Sequence, residues 1–516
     1  MAGGIQSVAT KPGNFRGRWQ GLRSRVGWPT RVSLRDWATL AGVCTVSIAF
    51  LSIVQFSTPS IVGNDGYYHI KLAALMRSEG LRPDFGWLPL TILSPEQFVD
   101  HHFLFHVLLM PFTFGDLIAG AKWASVLFAS SAVVAIWWLL RRQAVPHAAL
   151  WALGTLAVSE AFIFRMSMPR AQSLSLTVLV LALGWMLSGQ HRRLIGLGFL
   201  YVWLYDAFPL LLLACACYVA AEWLVAGRLR PEPLGYAGVG ILLGLVINPY
   251  FPDNLLFIGR HILPKIADPT SVNVGSEWYP YGTAQLLSNS GLALLAFVSA
   301  GLALGLAGRR MRVGTATALL FSLAVGLMLF QARRFVEYFP AFALIFAAFA
   351  WAPLLERARS RVVLPGLAAL GLGLGLWLNL GASIESAQGS KPAQRYRAAS
   401  AWLERNTPSG ARVFQTDWDD FPRLFYYNNH NTYTVGLDPT YLQLQDPDLY
   451  ELWVDLTQGR SEDLSAAIVA SFGGEYVLTD LEHERFLRAA EEDLEMTEVY
   501  RDEFAAVFAV EGIPAK

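Results

Sequence analysis

Four short polar segments interrupt an otherwise apolar chain, and their residue types suit proton and phosphate chemistry. The first is Gly63-Asn64-Asp65-Gly66-Tyr67-Tyr68-His69. If a helix begins there, Asp65 and His69 stand four residues apart and share a face. An Asp with a nearby His suits either a hard divalent cation or general-base work. The second is Val99-Asp100-His101-His102-Phe103-Leu104-Phe105-His106. His102 and His106 again stand at i and i+4, with Asp100 at the helix start, where it is either an N-cap or a ligand. The third, Ser271-Val272-Asn273-Val274-Gly275-Ser276-Glu277-Trp278-Tyr279-Pro280, sets Glu277 beside two aromatics. That carboxylate is either interfacial or reaches into a site from above. The fourth is Gln331-Ala332-Arg333-Arg334-Phe335, to which Arg165 and Arg170 add two further cations. Guanidinium binds phosphate oxygens bidentately; ordinary anionic lipid is the plainer partner.

The elements that must hold these groups are apolar helices. A soluble protein carries about 25% charged residues; this chain has 16%, with 54% hydrophobic residues and a mean hydropathy of +0.38. Together with runs of about 20 apolar residues, this excludes a simple soluble globule and implies a polytopic membrane protein. Eleven spans are expected, near 36–57, 117–140, 147–164, 171–188, 194–206, 208–227, 234–249, 289–308, 313–331, 335–353 and 362–382. The N-terminus (1–35) is basic, with Lys11, Arg16, Arg18, Arg23, Arg25, Arg31 and Arg35 and no acid before Asp36. If it is cytoplasmic, every second short loop is cytoplasmic too. Those loops hold Arg141 and Arg142, Arg192 and Arg193, Arg228 and Arg230, Arg309, Arg310 and Arg312, and Arg357, Arg359 and Arg361. Such alternation is the positive-inside pattern. The first apolar run is long enough to span and stay, with no cleavage site before it. A multi-pass protein of a plasma (inner) membrane is expected, with transmembrane domain 36–382 and extracytoplasmic loops at 58–116 and 250–288. Arg165, Arg170, Arg333 and Arg334 then lie outside, against the charge rule. Acid, histidine and arginine groups share that outer face, as holding a lipid-linked phosphate and activating an acceptor require.

The net charge of zero is two cancelling terms. Residues 383–516 hold 11 basic and 24 acidic side chains, and residues 1–382 hold 29 and 16. The acidic tail is expected to be a soluble extracytoplasmic α/β domain. Helices are expected at 393–406, 420–427, 449–456, 464–472 and 482–494. Strands are expected at 412–416, 433–436, 475–480 and 505–510. Asp417-Trp418-Asp419-Asp420 marks its polar, aromatic region. Cys44, Cys215 and Cys217 lie in apolar stretches, which excludes a disulfide framework. No nucleic-acid partner is expected.

These motifs resemble those of GT-C glycosyltransferases, and most of all the catalytic subunits of oligosaccharyltransferases. Asp65-Gly66-Tyr67-Tyr68-His69 is similar to their first acidic motif, Ser271–Glu277 to their outer-loop Ser/Thr-x-x-Glu motif, and Asp417–Asp420 sits where they carry Trp-Trp-Asp-Tyr-Gly. The resemblance implies a GT-C-like helical bundle and transfer of a sugar from a polyprenyl-phosphate donor to a protein or glycan acceptor. It implies Asp65 and Glu277 in catalysis, the four arginines on the lipid phosphate, and Tyr68, His69, Trp418, Asp419 and Asp420 on the acceptor. It implies a divalent cation, Mg or Mn, at Asp65. The family's second acidic motif belongs at residues 165–172, which contain no acid. Either Asp100 and His102 complete the metal site instead, or the metal is absent. The competing readings are a transporter of lipid-linked substrate and a non-catalytic binding or assembly protein. No internal repeat or matched pair of broken spans supports transport.

Overall fold

The computed structural model describes residues 33–267, 275–357, 363–461 and 463–510. The basic stretch Lys11–Arg31, residues 271–274 of the third polar segment, Arg359 and Arg361 lie outside the described residues. The chain divides into two units, residues 1–42 and 43–516. In the first, Ser33 and Asp36 cap the opening helix reciprocally: the Asp36 amide donates to Ser33 Oγ at 3.1 Å, and that hydroxyl donates to Asp36 Oδ2 at 2.8 Å.

Apolar segments in lipid must satisfy their backbone internally, which makes them helices. Seven described helices are long and apolar enough to cross a membrane: Leu34–Gln55, Leu117–Arg142, Pro209–Ala226, Thr283–Ala307, Val313–Gln331, Phe339–Arg357 and the final helix ending at Gln388. Counting the bent pair Glu160–Ser167 and Gln172–Leu187 as one span makes eight. Arg193–Leu204 and Glu232–Val246 are apolar but have 12 and 15 residues, short of the roughly 20 that a bilayer core needs. Helix therefore falls on all eleven expected spans, while length and composition identify seven or eight crossings.

The expected span 147–164 is broken into Ala148–Gly154 and Glu160–Ser167. Ser159 Oγ accepts from the Phe162 amide at 3.1 Å and restarts the helix. Asn379 Nδ2 donates to the Leu156 carbonyl at 2.7 Å, satisfying an acceptor that the break releases. Pro169 cannot continue the second piece, and the next helix leaves at 109°. That corner carries Arg165 and Arg170. The flank of Thr283–Ala307 exposes Leu295, Leu302 and Leu306, a surface suited to lipid rather than water.

Helices Arg193–Leu204 and Glu232–Val246 cross through Gly198, Gly240 and Gly244. A Cβ on Gly198 would lie 2.9 Å from the Ala237 carbonyl oxygen, and one on Gly240 would collide with that of Ile195. Small residues four apart let the backbones meet.

Beyond the last long helix comes a five-stranded sheet of order β2-β1-β3-β5-β4. Its strands are β1 (Arg412–Gln415), β2 (Thr432–Tyr433), β3 (Tyr476–Asp480), β4 (Met496–Arg501) and β5 (Ala505–Val510). β1 runs parallel to β2 and β3, with Phe414 opposite Val477. β5 is antiparallel to β3 and β4, with Val477 opposite Phe508. β4 was not expected: it is an edge strand with mostly half-exposed or exposed positions and lacks the apolar alternation that marks a strand. A single apolar cluster joins the sheet region to the segment after the first helix, with Tyr68, Phe85, Leu88 and Phe103 packed with Phe421, Phe425 and Tyr433. Arg423 pins the two together. Its Nε donates to Asn64 Oδ1 at 2.9 Å, Nη1 to the Pro392 carbonyl at 2.8 Å and Nη2 to the Lys391 carbonyl at 3.0 Å. Its guanidinium also lies 4.2 Å from the Tyr67 ring centroid.

The glycine crossing predicts that Gly240→Val will destabilise the protein by about 1–3 kcal/mol through overpacking. The check is a lower thermal midpoint in detergent, with Gly238→Val, which meets open space, as the tolerated control.

Candidate active site

A cavity of about 1020 Å³ opens where the bundle meets the sheet region. It is lined by Arg165 and Arg170 at the bend, by Asp65, His69 and His102, and by Trp278, Arg333 and Arg334. Asp417, Trp418, Asp419 and Asp438 close it from the sheet region.

Glu277 is the hub. Arg165 Nη1 lies 2.6 Å from Glu277 Oε2, Arg170 Nη1 3.4 Å from the same oxygen, and Arg334 Nη1 3.9 Å from Oε1. Burial works to raise this carboxyl, but the three arginines outweigh it and hold it well below the usual carboxylate range. Arg165 also donates from Nε to Glu337 Oε1 at 2.8 Å and from Nη2 to the same oxygen. Arg170 Nε faces Asp65 Oδ2 at 3.3 Å. Three guanidiniums thus meet three carboxylates before any ligand arrives.

Of the four arginines that the resemblance places on the lipid phosphate, Arg165 and Arg170 are engaged by carboxylates. Arg165 is committed to two carboxylates and serves to position them. Arg170 is shared between Asp65 and Glu277. Arg333 and Arg334 keep more of their donor capacity. Arg334 stacks 4.2 Å from the Trp278 ring centroid and donates from Nη2 to Tyr205 OH at 3.0 Å. Arg333 donates from Nε to the Pro280 carbonyl at 3.2 Å and lies 5.2 Å from the Tyr281 ring centroid. Glu277, expected in catalysis, carries the guanidiniums of Arg165, Arg170 and Arg334 on its carboxylate.

The expected cation ligands do not come together. The Asp100 carboxylate is buried and used by its own segment, accepting from the His102 amide at 3.0 Å and bonding His106 Nδ1 at 2.8 Å. Asp65 has a guanidinium where a cation would sit. Among the described residues, no three His, Cys, Asp or Glu side chains are placed to hold a metal ion. Asp65, Asp100 and His102 therefore do not fit a divalent cation, and positive charge at Asp65 comes from Arg170.

Asp65 ends the loop that Asn64 anchors, and its side chain makes no capping bond to the helix Gly66–Glu79 that it opens. Its carboxyl is free to face the cavity. Burial raises it above the ordinary value, against the pull of Arg170. His69 lines the cavity one turn later, and Tyr68 is mostly turned into the aromatic cluster with Phe85, Phe421 and Phe425. Burial lowers both His69 and His102 well below the usual imidazole value.

Trp418 and Asp419 line the cavity. Asn64 Nδ2 donates to the Asp419 carbonyl, and Lys391 Nζ lies 3.8 Å from its carboxylate. Burial lifts the Asp419 carboxyl to about 7. Asp420 does not reach the cavity. It is buried, with its carboxyl raised to about 8 by burial and by the nearby Asp417. The 3-10 turn Trp418–Asp420 rotates successive side chains by about a third of a turn, which separates two neighbouring acids. Glu337 and Tyr205 were missed. Glu337 sits inside a run read as a span, and a carboxylate there, three residues after Arg334, was the available signal.

No family model matches the chain, and no curated relative does. Solved structures do match. An archaeal oligosaccharyltransferase AglB from Archaeoglobus fulgidus, in complex with an inhibitory peptide and a dolichol-phosphate, aligns over 89% of this chain and 72% of its own at 14% identity, TM-score 0.62. ArnT from Cupriavidus metallidurans, bound to undecaprenyl phosphate, aligns over 92% and 98% at 16% identity, TM-score 0.57. The arabinofuranosyltransferase AftD from Mycobacteria aligns over 94% and 40% at 15% identity, TM-score 0.58. The chain has the fold of these GT-C glycosyltransferases and, with its apolar helices, is a multi-pass membrane protein.

Two predictions follow from the ion cluster and from Asp420. Glu337→Gln, which leaves Arg165 Nε buried beside a neutral group, should cost about 3–5 kcal/mol of stability; Glu277→Gln should cost less, because Glu277 is 25% exposed against 1% for Glu337. Thermal midpoints of the two variants provide the comparison. Asp420 has a folded-state pKa above its unfolded value. Its stabilising contribution is therefore greatest below about pH 4 and is lost as pH rises toward 8. Asp420→Asn should gain stability relative to wild type across that window, read as the difference in midpoint at pH 5 and pH 8.

Proposed function

We propose that this protein is a glycosyltransferase that moves a sugar from a polyprenyl-phosphate donor to a protein or glycan acceptor. The observation that carries the reading is that Arg333 and Arg334 line the same cavity as Asp65. Guanidiniums with spare donors suit a phosphate that gains charge as its bond to the sugar breaks. The fold is shared with ArnT, bound to undecaprenyl phosphate, and AglB, in complex with a dolichol-phosphate. That supports the same donor class here.

In this mechanism Arg333 and Arg334 hold the lipid phosphate, with Arg334 braced by Trp278 and Tyr205. Glu277 and Glu337 keep Arg165 and Arg170 fixed beneath the reacting atoms, so the field is organised before substrate binds. Asp65 orients the acceptor nucleophile, and Trp418 and Asp419 form the acceptor's binding wall. The lipid phosphate leaves with the bonding electron pair as the acceptor bonds the sugar carbon. The alternating basic loops support a cytoplasmic N-terminus, which sets the cavity on the extracytoplasmic face of a plasma membrane.

The test uses the purified protein with undecaprenyl-phosphate-linked sugars and measures release of undecaprenyl phosphate. Asp65→Asn and Arg334→Ala should each reduce transfer at least 100-fold, measured per folded molecule, because each also gives up an ion-pair partner and lowers the thermal midpoint. Full activity in both would sink the reading. Transfer should persist after exhaustive chelation, because Arg170 occupies the cation's place beside Asp65; dependence on added Mg or Mn would contradict that part.

A further inference from the structure

One buried line of side chains has no part in the mechanism above. Asp100 Oδ2 bonds His106 Nδ1 at 2.8 Å, and His106 Nε2 bonds His69 Nδ1 at 2.8 Å. All three residues are 5% exposed or less. Of the three, only His69 lines the cavity. The rings of Tyr68 and Phe105 flank His69 and exclude water from the line.

Proton counting gives the line a direction. A carboxylate only accepts hydrogen bonds, and a neutral imidazole has one N–H and one lone pair. Asp100 therefore selects the His106 tautomer with its proton on Nδ1. The His106 Nε2 lone pair then accepts from His69 Nδ1–H. His69 is left with a lone pair on Nε2, on the ring that faces the cavity. The second Asp100 oxygen accepts the His102 amide at 3.0 Å, which fixes the carboxylate's orientation. Arg170, His101 and His102 also act on this ring, and the Asp100 carboxylate is the line's only anion.

We propose that Asp100 and His106 make His69 the proton acceptor for the transfer step. The proposal rests on the transferase reading and adds to it the destination of the proton. As the acceptor's N or O bonds the anomeric carbon, the carbon–oxygen bond to phosphate breaks and the lipid phosphate keeps its electrons. The acceptor's proton passes to His69 Nε2, and the resulting positive charge is stabilised through His106 by Asp100. His69 touches the reacting group and is catalytic; Asp100 and His106 are positioning residues. Asp65 is already paired with Arg170, whereas the Nε2 lone pair of His69 is unspent.

Asp100→Asn provides a selective test. Its oxygen must keep the His102 amide, so its NH2 faces His106 Nδ1. Every hydrogen bond survives, but each tautomer in the line inverts and His69 Nε2 becomes a donor. We expect kcat for release of undecaprenyl phosphate to fall about 100-fold, with the Kd for undecaprenyl phosphate and the thermal midpoint unchanged. His69→Asn, whose amide stands where Nδ1 stood and keeps a donor toward His106 but cannot take a proton, should show the same loss. Nitrogen-15 NMR of histidine-labelled protein should find the His69 proton on Nδ1 in wild type and on Nε2 in Asp100→Asn, with the signals assigned by their loss in His69→Asn. Wild-type kcat in either variant would overturn the proposal, as would a wild-type His69 protonated on Nε2. A lower kcat accompanied by weaker lipid binding or a lower midpoint would overturn it in favour of a structural role. A wild-type protein that releases no undecaprenyl phosphate would instead overturn the donor reading, and the NMR result would still report on the line itself.

Discussion

The site depends on a charge constraint: three arginines have been drawn into the end of an apolar bundle, and each must be answered by a carboxylate. Arg165, Arg170 and Arg334 converge on Glu277, with Glu337 and Asp65 taking the remaining charge. A buried ion left without its partner costs several kcal/mol, so no member can move alone. This ties together the bend after Ser167, the segment before Thr283 and the turn after Gln331. It also means that the cavity is electrically organised before substrate arrives, which is the form of electrostatic catalysis that needs no rearrangement during reaction.

A second set of contacts positions Asp65 and Asp419. Arg423 spends its donors on Asn64 and on two carbonyls before the sheet, and Asn64 in turn donates to the Asp419 carbonyl. Asp65 and Asp419 therefore sit on one small hydrogen-bonded frame although 354 residues separate them in the chain. The aromatic cluster of Tyr68, Phe85, Phe421 and Phe425 lies behind that frame and keeps it dry. The Asp100–His106–His69 line emerges from the same packed region. Its polarity is set by one carboxylate, which can only accept a hydrogen bond from His106.

Much of the architecture could be read locally. Helices fall where apolar runs were long, and β1, β3 and β5 fall where short apolar segments lay between turns. The helix pattern failed where tertiary contacts override it. Residues 147–164 look like one span, yet Ser159 and Asn379 stabilise a break within it. β4 is invisible because an edge strand with one solvated side carries Glu498 and Arg501 in place of an apolar face. Within the site, Asp65, Glu277 and the arginines were found because charge in an apolar chain is conspicuous. Glu337 was hidden for the opposite reason: a single acid hardly changes the hydropathy of a long run.

Sequence alone determined which segments are apolar helices and which polar residues stand at their ends, since both follow from composition over a few turns. Tertiary structure decided what those residues do. It turned Asp419 into the cavity and Asp420 into the core, one residue apart. It gave Asp100 to His106 instead of to a cation, and it placed a guanidinium against Asp65. Each outcome depends on which distant group lies within about 3 Å, and at that range a carboxylate's role is set by its partner rather than by its type.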